Sequence, residues 1–539
     1  EISTNTSSTT AILVTTTVGA VLLIQLVWNF LRAKDRQCQQ QEQQQQSSSS
    51  SSVPWAPGAV PLLGHALRYK DDPAKFLVQT CQRVIASSQS VSNSSNSSSD
   101  AIFRLNLAGK NMIVVCGPEL QRQIASMPES VMSARQAVAD IGFEYMLGHS
   151  NVHEGTDYHK GIVKGIFHNS QKADSQVTTW LRSIRRALDV EIRTKQEVNL
   201  AKKLDFFHTL RRVTLRSTVE VMIGEAFLDG WDDFDFVSEF MKFQDTLEDV
   251  TAKSVVLPRP LALVTMLWPF QRRRETLQRT IEKRLRSIYN NDDNDDDDDD
   301  RKGFWLQSIE KDHDVAMISE LIVGLLFAAH KNPAIGAAQT FLLLHENASE
   351  SELEECREEA KTLLSSPCWT YVSASRSSSM TKLRRACLES LRLTAHSIGG
   401  VRTAQQDVTV SVGPKTYKIP KGSSVSLSHI VTHRDTSIWG NDASEFDISS
   451  SSRWNDGRRS DDVDLYGDEY KFTTFSHGVH VCPGQQLALL MLQLIVAVLL
   501  VEYDVTLPED IPPLDFERAT LAQREKSVMV TITPATKKD

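Results

Sequence analysis

The sequence lacks the cysteine pairs that would indicate a disulfide framework or a zinc site. Its seven cysteines are odd in number, scattered over 539 residues, and none belongs to a CxxC pair. Both kinds of site use paired or closely spaced cysteines, so the pattern argues against them. It fits a reduced, cytosol-facing domain in which one cysteine is reserved for chemistry. The cysteines are Cys38, Cys81, Cys116, Cys356, Cys368, Cys387 and Cys482.

A surplus of basic charge is also missing. The formal net charge is −9, and eight of the negative charges come from the aspartates within residues 292–300, so the rest of the chain is nearly neutral. A nucleic-acid-binding domain usually carries a basic surface, and we therefore expect no nucleic-acid partner. Repeats are absent as well, and 40% hydrophobic with 24% charged residues is a globular composition.

Charge is locally absent from residues 11–31, which are dominated by Ile, Leu, Val, Ala and Thr. Because 21 helical residues cover about 30 Å, this segment is long enough to cross a bilayer core. Arg32, Lys34 and Arg36 follow it, which predicts that the C-terminal side faces the cytoplasm. A cleaved secretory signal is the alternative, but its basic residues would precede the apolar run. We expect a retained single-pass transmembrane anchor.

The segments after the anchor are predicted to form a linker and one large domain. Residues 32–53 are rich in Gln and Ser, which indicates a flexible spacer. The proline-rich segment from Pro54 to Gly64 predicts a stiff, extended entry to the domain 54–539. Two insertions, at about 87–99 and 290–301, have the composition of disordered surface loops.

Apolar periodicity predicts a mainly α fold with a small β-rich part. Helical patterns cover Pro73–Ile85, much of Pro118–Lys283, Ala316–His345 with interruptions at Pro333 and Gly336, Glu352–Leu364 and Met380–Thr394. A hairpin is predicted from Ile102–Leu107 and Met112–Val115. Short strands are predicted at Asp407–Val412, Thr416–Ile419, Ser424–Leu427, Val501–Thr506 and Val528–Ile532.

The most informative segment is the loop that carries Cys482. It reads Phe475-Ser-His-Gly478-Val-His480-Val-Cys482-Pro-Gly484. A thiolate offered from a tight loop is suited to serve as the axial ligand of a haem iron, and the glycines allow sharp turns and close backbone approach. A strongly apolar helix begins at Gln485, and its N-terminal dipole would favour an anionic sulfur.

This loop resembles the haem-binding signature of the cytochrome P450 family, Phe-x-x-Gly-x-Arg-x-Cys-x-Gly. One position departs, because His480 stands where Arg is usual. The resemblance implies haem b as cofactor with Cys482 as axial ligand, and the mostly α P450 fold from about Pro54 to the end. The proline-rich entry segment also resembles the hinge of membrane-anchored members.

The resemblance implies further site residues. Glu389 and Arg392, in a Glu-x-x-Arg helix, would form a structural charge network with an arginine that precedes the cysteine loop, for which Arg453 is the candidate. For the two haem propionates, His480 would take the role of the usual Arg, and Arg402 matches a propionate-binding position. His159 and Lys164 lie where members offer another propionate partner, although an ordinary solvated helix face is an equally good interpretation of these two residues.

The long helix departs from the family pattern where it should cross the distal face of the haem. Monooxygenases of the family usually carry Ala/Gly-Gly-x-Asp/His-Thr there, and the acid–alcohol pair delivers protons to iron-bound oxygen. Here Lys331 replaces the acid and Asn332 the Thr, while Pro333 should kink the helix. We expect His330, Lys331 and Asn332 to be the candidate catalytic residues, with His330 or Lys331 able to relay protons or to face solvent or the core.

These observations leave three functional hypotheses. The favoured one is a monooxygenase that inserts one oxygen atom of O2 into a lipophilic sterol or fatty-acid-like substrate, with electrons from NADPH through cytochrome P450 reductase. The alternative is a peroxide-rearranging member similar to prostacyclin synthase, which needs no reductase. A haem-binding sensor without turnover is the third. In the first two, the anchor implies contact with membrane lipid, and we expect an endoplasmic reticulum membrane protein with its catalytic domain in the cytosol.

Overall fold

The structure of the chain is a computed structural model. It describes residues 51–60, 63–89, 100–153, 161–163, 165, 167, 170–193, 203–229, 231, 235–292, 302–310, 313–373, 380–449, 454, 470–517 and 520–535. The expected anchor at 11–31 and nearly all of the linker lie outside these residues, as do 90–99 and 293–301 of the two insertions.

The fold is mainly α, as predicted. The helices are α1 (Ala66–Asp71), α2 (Pro73–Gln89), α3 (Pro118–Ala125), α4 (Ala134–Asp140), α5 (Phe143–Leu147), α6 (His149–His153), α7 (Ser170–Arg193), α8 (Phe206–Met222), α9 (Glu225–Leu228), α10 (Phe236–Val256), α11 (Arg259–Ala262), α12 (Trp268–Asp292), α13 (Phe304–Ile309), α14 (Val315–Ala329), α15 (Lys331–Asn347), α16 (Glu350–Ser365), α17 (Trp369–Ser373), α18 (Lys382–Leu393), α19 (His429–His433), α20 (Thr436–Trp439) and α21 (Gln485–Glu502). A π-helical turn at Leu263–Leu267 joins α11 to α12.

The strands are short, and several pair with strands that are far away in the sequence. They are β1 (Ser51–Ser52), β2 (Ala101–Leu107), β3 (Lys110–Cys116), β4 (Met132–Ser133), β5 (Leu204–Asp205), β6 (Gly399–Ala404), β7 (Val408–Val412), β8 (Lys415–Ile419), β9 (Ser424–Leu427), β10 (Tyr503–Thr506), β11 (Leu514–Asp515), β12 (Gln523–Arg524) and β13 (Met529–Pro534). By backbone contacts the chain divides into a small unit, described at 51–53 and 409–419, and a large unit comprising 54–408 and 420–539.

In the small unit, β1 pairs in parallel with β8, which pairs with β7. The large unit contains a five-stranded sheet in the order β2-β3-β9-β6-β4, a three-stranded sheet β10-β13-β5 and the pair β11-β12. The predicted hairpin is confirmed. β2 and β3 are antiparallel, and Ala108 and Gly109 close the turn with φ of 50° and 91°, the positive values that a two-residue hairpin turn requires.

Helix α15 lies at the centre of the core, where it packs against α8, α18 and α21. All of these helices carry long runs of buried side chains. Gly336 faces the contact with α21 and α18, and a Cβ there would lie 2.9 Å from Leu492 Cδ2 and 3.4 Å from Leu391 Cδ2. Gly336 therefore permits close packing and does not interrupt the helix, which corrects the sequence-based expectation.

The long apolar helix breaks at His330, between α14 and α15, where φ is −119°. Pro333 is the cause that the sequence offers, because its ring excludes the carbonyl of Ala329 from a helical bond and it has no N–H to donate. Helical bonding resumes when Ala334 N donates to His330 O at 3.0 Å. The predicted interruption is confirmed, but it falls three residues before the proline.

Helix ends differ from the prediction in two places. α2 continues to Gln89 and α12 to Asp292, so each helix extends about three residues into a segment that was predicted to be a loop. Within the described ranges, two helical segments are long and apolar enough to cross a membrane by length and composition alone, 315–347 and 485–502. Buried residues make up 50% and 72% of their most apolar windows, as is usual for core helices.

Candidate active site

A cavity of about 580 Å³ lies between the break in the long helix, the cysteine loop and strand β6. Its volume falls in the usual range for small-molecule sites. Its wall is mostly apolar, and side chains from α14, α15 and α21 contribute to it. Residues that line the cavity include Leu147, Asn151, Asn332, His396, Arg402, His429, Phe475, His480, Cys482 and Gly484.

The loop of Cys482 is held by its own backbone and by α3. Cys482 N donates to Phe475 O at 2.8 Å, and Ser476 and Gly478 have positive φ of 58° and 67°. A Cβ on Gly478 would lie 2.2 Å from the carbonyl oxygen of Ala125. The glycine is thus required both by its φ and by its packing against the end of α3, which fixes the loop at the cavity wall.

The Cys482 sulfur is in an environment that disfavours an unpaired thiolate. Burial raises the pKa of the Cys482 thiol, while a hydrogen bond from the Gly484 backbone lowers it. A thiolate at this position therefore needs a neighbouring cation, and a bound iron would supply one. The N-terminus of α21, which begins at Gln485, adds a favourable dipole.

Two features of the cavity fit a large anionic group beside the sulfur. A Cβ on Gly484 would meet no atom within 4 Å, so the space in front of this glycine is open. Arg402 is buried, and its Nε lacks a hydrogen-bond partner among the described residues. Burial lowers the pKa of Arg402 to about 10, with Glu129 acting in the opposite direction. A buried guanidinium of this kind is suited to bind a carboxylate such as a haem propionate.

His480 is already engaged in the structure. Its Nε2 lies 2.8 Å from Glu129 Oε2, and Glu129 also accepts hydrogen bonds from Ser133 Oγ and Arg135 N. Burial would raise the pKa of Glu129, but these hydrogen bonds and the charge of His480 lower it. The expected propionate donor thus lies at ion-pair distance from a carboxylate, a partner that no sequence motif predicts.

Two histidines that line the cavity, His396 and His429, were not predicted from the sequence to be site residues. His429 Nδ1 lies 2.9 Å from Thr473 Oγ1. Burial lowers the pKa of His429 to about 3 and that of His396 to about 4, so both are neutral near pH 7. His396 follows α18 and His429 begins α19. Neither residue belongs to a sequence motif that would predict a place in the site.

The three candidate catalytic residues at the helix break face different environments. Asn332 lines the cavity, and its Oδ1 accepts a hydrogen bond from Leu521 N at 3.3 Å. Lys331 is buried away from the cavity, and its Nζ pairs with Glu248 and Asp245 of α10 at 2.5 and 3.4 Å. His330 is also absent from the cavity wall. Of the alternatives left open for His330 and Lys331, the structure places both side chains in the protein core.

The Glu389–Arg392 pair is fully buried in α18. Arg392 donates to both carboxylate oxygens of Glu389 at 2.8 and 2.7 Å, and its Nη1 donates to the carbonyl of His433 at 2.6 Å. The Trp454 indole donates to Glu389 Oε2 at 2.9 Å. The expected third member, Arg453, lies outside the described residues, as do His159 and Lys164.

The mostly helical fold, with a partly buried cysteine loop on the wall of an apolar cavity, is that of a haem-thiolate protein. The chain belongs to the cytochrome P450 family, whose family model matches residues 60–532. It is an oxidoreductase of the P450 monooxygenase type, with haem as cofactor and a cysteine thiolate as the iron ligand.

Known relatives are distant but extend over most of the chain. Cytochrome P450 monooxygenase 71 of Postia placenta is 23% identical, over 76% of this chain and 81% of that protein. Cytochrome P450 7B1 of Mus musculus is 22% identical over 84% of each chain. The solved haem domain of cytochrome P450DA superposes with a TM-score of 0.64 at 18% identity, covering 91% of this chain and 99% of that chain, which supports the fold.

Proposed function

We propose that this enzyme inserts one oxygen atom of O2 into a lipophilic substrate of the sterol or fatty-acid-like class, using electrons from NADPH delivered by cytochrome P450 reductase. The observation that carries the proposal is the cavity itself, since Cys482 and Asn332 share it with an apolar wall. An apolar site of this kind favours a substrate with little charge. Segment 11–31, if it anchors the protein in the endoplasmic reticulum membrane, would place the domain beside a reservoir of such substrates.

The bound haem supplies the chemistry of oxygen activation, and the residues around it determine what reaches it. Arg402 and His480 would hold the propionates, the former through its unpartnered Nε. The apolar wall would orient the substrate and exclude water. Asn332 Oδ1 accepts a hydrogen bond from Leu521 N. The N–H donors of the same amide would then be available to a water molecule in the cavity.

The haem assignment is tested by replacing the cysteine. Cys482→Ala should abolish the red-shifted Soret band that the reduced, CO-treated thiolate haem gives. Cys368→Ala is the matched control, because Cys368 is also a partly buried free cysteine but lies outside the cavity wall, and we expect it to retain the band. An unchanged spectrum in Cys482→Ala would contradict the ligand assignment.

A second candidate function is supported by the helix break. Asn332 replaces the usual Thr, and the ion pair of Lys331 with Glu248 turns that residue's charge away from the cavity. A site with a weakened proton path is suited to a peroxide-rearranging enzyme, which requires neither O2 nor a reductase. Turnover with NADPH and reductase, but not with a lipid hydroperoxide or endoperoxide alone, would support the monooxygenase. Turnover only with peroxide would contradict it.

A further inference from the structure

Three potential metal ligands meet on the outer side of the α5–α6 segment, apart from the haem cavity. They are Glu144 of α5 and His149 and His153 of α6, and one ligand atom from each lies within 4.8 Å of the other two. His149 Nδ1 is 3.0 Å and His153 Nε2 is 3.9 Å from Glu144 Oε1. In a tetrahedral zinc site, Zn–N and Zn–O bonds of about 2.0–2.1 Å place neighbouring ligand atoms about 3.3 Å apart, and these distances bracket that value.

The positions of the three residues follow from the fold. Residues four apart on a helix share a face, and a His pair at this spacing is a common start for a zinc site. The rings of His149 and His153 lie 4.4 Å apart with an interplanar angle of 35°, so both imidazoles occupy the same side of α6. Glu144 reaches them from the preceding helix across Gly148, whose φ is 101°.

The backbone beneath the site is held in place by α14. Glu320 Oε1 accepts a hydrogen bond from Ser150 N at 2.7 Å, and Asn151 Nδ2 donates to Glu320 O at 2.6 Å. A Cβ on Gly148 would lie 2.3 Å from the Glu320 carboxyl carbon. These contacts fix α6 against α14, so the histidines belong to a positioned segment and not to a free surface loop.

The site is accessible to a metal ion from solvent. The side chains of His149, His153 and Glu144 keep relative exposures of 64%, 32% and 44%. Three protein ligands leave a fourth coordination position for water, and two imidazoles with one carboxylate suit Zn²⁺ or a similar late transition metal better than Mg²⁺ or Ca²⁺.

We propose that Glu144, His149 and His153 form a binding site for a divalent transition metal of the Zn²⁺ class. The metal would join α5 to α6 across Gly148. Because Leu147 and Asn151 of the same segment line the haem cavity, the bound ion would also restrain this part of the cavity wall. The three side chains already lie close together in the structure, since both imidazoles approach the Glu144 carboxylate within 4 Å.

The experiment is equilibrium dialysis of the haem-loaded, full-length protein against micromolar Zn²⁺, with bound zinc and iron measured by elemental analysis. Excess Mg²⁺ is included so that carboxylate-only positions, such as the aspartates at 292–300, are occupied by the harder cation. We expect one Zn²⁺ per haem iron in the wild type. The double variant His149→Ala/His153→Ala should lose it, and Glu144→Gln should bind at least about tenfold more weakly, the loss that even an outer-shell change causes.

The matched control is His208→Ala/His313→Ala, which removes two histidines outside the cluster. It should keep the zinc, and the reduced, CO-treated spectrum of every variant should confirm that the haem site is intact. Zn²⁺ should also raise the thermal unfolding midpoint of the wild type and not that of the His149/His153 variant. Absence of zinc from the wild type, or zinc retained by the double variant, would overturn the proposal. Unchanged affinity in Glu144→Gln would overturn the ligand set.

Discussion

The buried ammonium of Lys331 pairs with Glu248 across the interface between α15 and α10. Lys331 has a side-chain exposure of 1%, whereas Glu248 keeps 23% and its neighbour Asp245 keeps 48%. Asp245 is shared with Arg211, whose Nη2 lies 2.8 Å away. Lys331, which the sequence pattern aligns with the family's distal acid, therefore joins two helices and does not line the haem cavity.

This arrangement predicts an asymmetry between the two partners. Glu248→Gln leaves a buried ammonium with a single long contact to Asp245, and it should lower the free energy of unfolding by about 3 kcal/mol or more. Lys331→Met leaves two carboxylates that solvent reaches, and its cost should be smaller, about 2 kcal/mol. Urea unfolding of both variants measures the difference.

Lys242→Met is the control, because Lys242 lies on α10, the helix that also carries Glu248. Lys242 forms an exposed pair with Glu239, with exposures of 66% and 41%, and such pairs contribute little. We expect nearly wild-type stability. A larger loss for Lys331→Met than for Glu248→Gln would contradict the burial argument, and a changed affinity for a cavity ligand in Lys331→Met would contradict its placement outside the cavity.

A second prediction concerns His330, at the break between α14 and α15. Its Nδ1 lies 2.6 Å from Leu326 O, and its Nε2 is buried without a hydrogen-bond partner in the described structure. Burial lowers the pKa of His330 to about 3, and the positive charges of Arg211 and Lys331 act in the same direction.

In the unfolded chain a histidine has a pKa of about 6.5, so between pH 6.5 and 3 the unfolded state binds one more proton at this position. Stability from His330 is therefore complete above pH 6.5 and is lost as the pH falls, by about 1.4 kcal/mol per unit. The variant His330→Asn should show a shallower loss of stability than the wild type between pH 6.5 and 5. Parallel curves would show that His330 titrates normally.

The Glu389 network gives a third prediction through two tryptophans. Trp454 Nε1 donates to the carboxylate of Glu389, and Trp439 Nε1 donates to the neutral carbonyl of Thr432 at 3.0 Å. Both indoles are buried, at 2% and 3% exposure, and their rings lie 5.5 Å apart. The Arg392 guanidinium lies 5.0 Å from the centroid of the Trp439 ring, and Phe keeps an aromatic ring there, so each Trp→Phe change removes mainly the indole hydrogen bond.

Hydrogen bonds to ionised groups are roughly twice as strong as neutral ones. Trp454→Phe should thus cost more stability than Trp439→Phe, about 2 against 1 kcal/mol, and should lower the fraction of protein that retains haem. The measurement is urea unfolding together with the haem-to-protein absorbance ratio. Equal losses of stability would mean that the hydrogen bond to the Glu389 carboxylate is no stronger than the one to the neutral carbonyl of Thr432.

Local patterns account for what could be predicted from the sequence. The loop around Cys482, the Glu389–Arg392 pair and the β2–β3 hairpin each lie within a few consecutive residues, so their spacing defines their geometry. Strand β6 was not predicted, because Gly399 and Gly400 interrupt the alternation of apolar and polar residues that is typical of a strand. Its pairing with β9 is also irregular, with a register shift between Gly399 and Arg402.

Long-range partners account for what could not be predicted. The side on which Lys331 lies is decided by Glu248, 83 residues earlier in the chain, and by the break at His330. The ion pair of His480 depends on Glu129, which lies between α3 and β4 and is marked by no motif. The indole that donates to Glu389 belongs to Trp454, a residue that the Glu-x-x-Arg motif does not mark.

The propionate assignment gives a fourth prediction. Arg402 is buried beside the cavity, and its Nε has no hydrogen-bond partner among the described residues, whereas His480 Nε2 lies 2.8 Å from the Glu129 carboxylate. Arg402→Leu should reduce haem retention more than His480→Ala, because a buried charged donor is worth more to a carboxylate than an imidazole that another group already binds. Haem transfer to apomyoglobin measures the release rate. Faster release from His480→Ala than from Arg402→Leu would contradict this order.

The fifth prediction concerns Asn332, the one residue of the proposed distal trio that lines the cavity. In Asn332→Thr the shorter hydroxyl side chain replaces the carboxamide that accepts from Leu521 N, and it also restores the alcohol of the family pattern. If Asn332 lies over the iron, the fraction of NADPH electrons recovered in product should change in this variant, with the reductase rate held constant. Asn332→Ala is the control, because it removes the Leu521 contact without supplying an alcohol. A change shared by both variants would trace to the lost contact, and no change in either would place Asn332 away from the reacting oxygen.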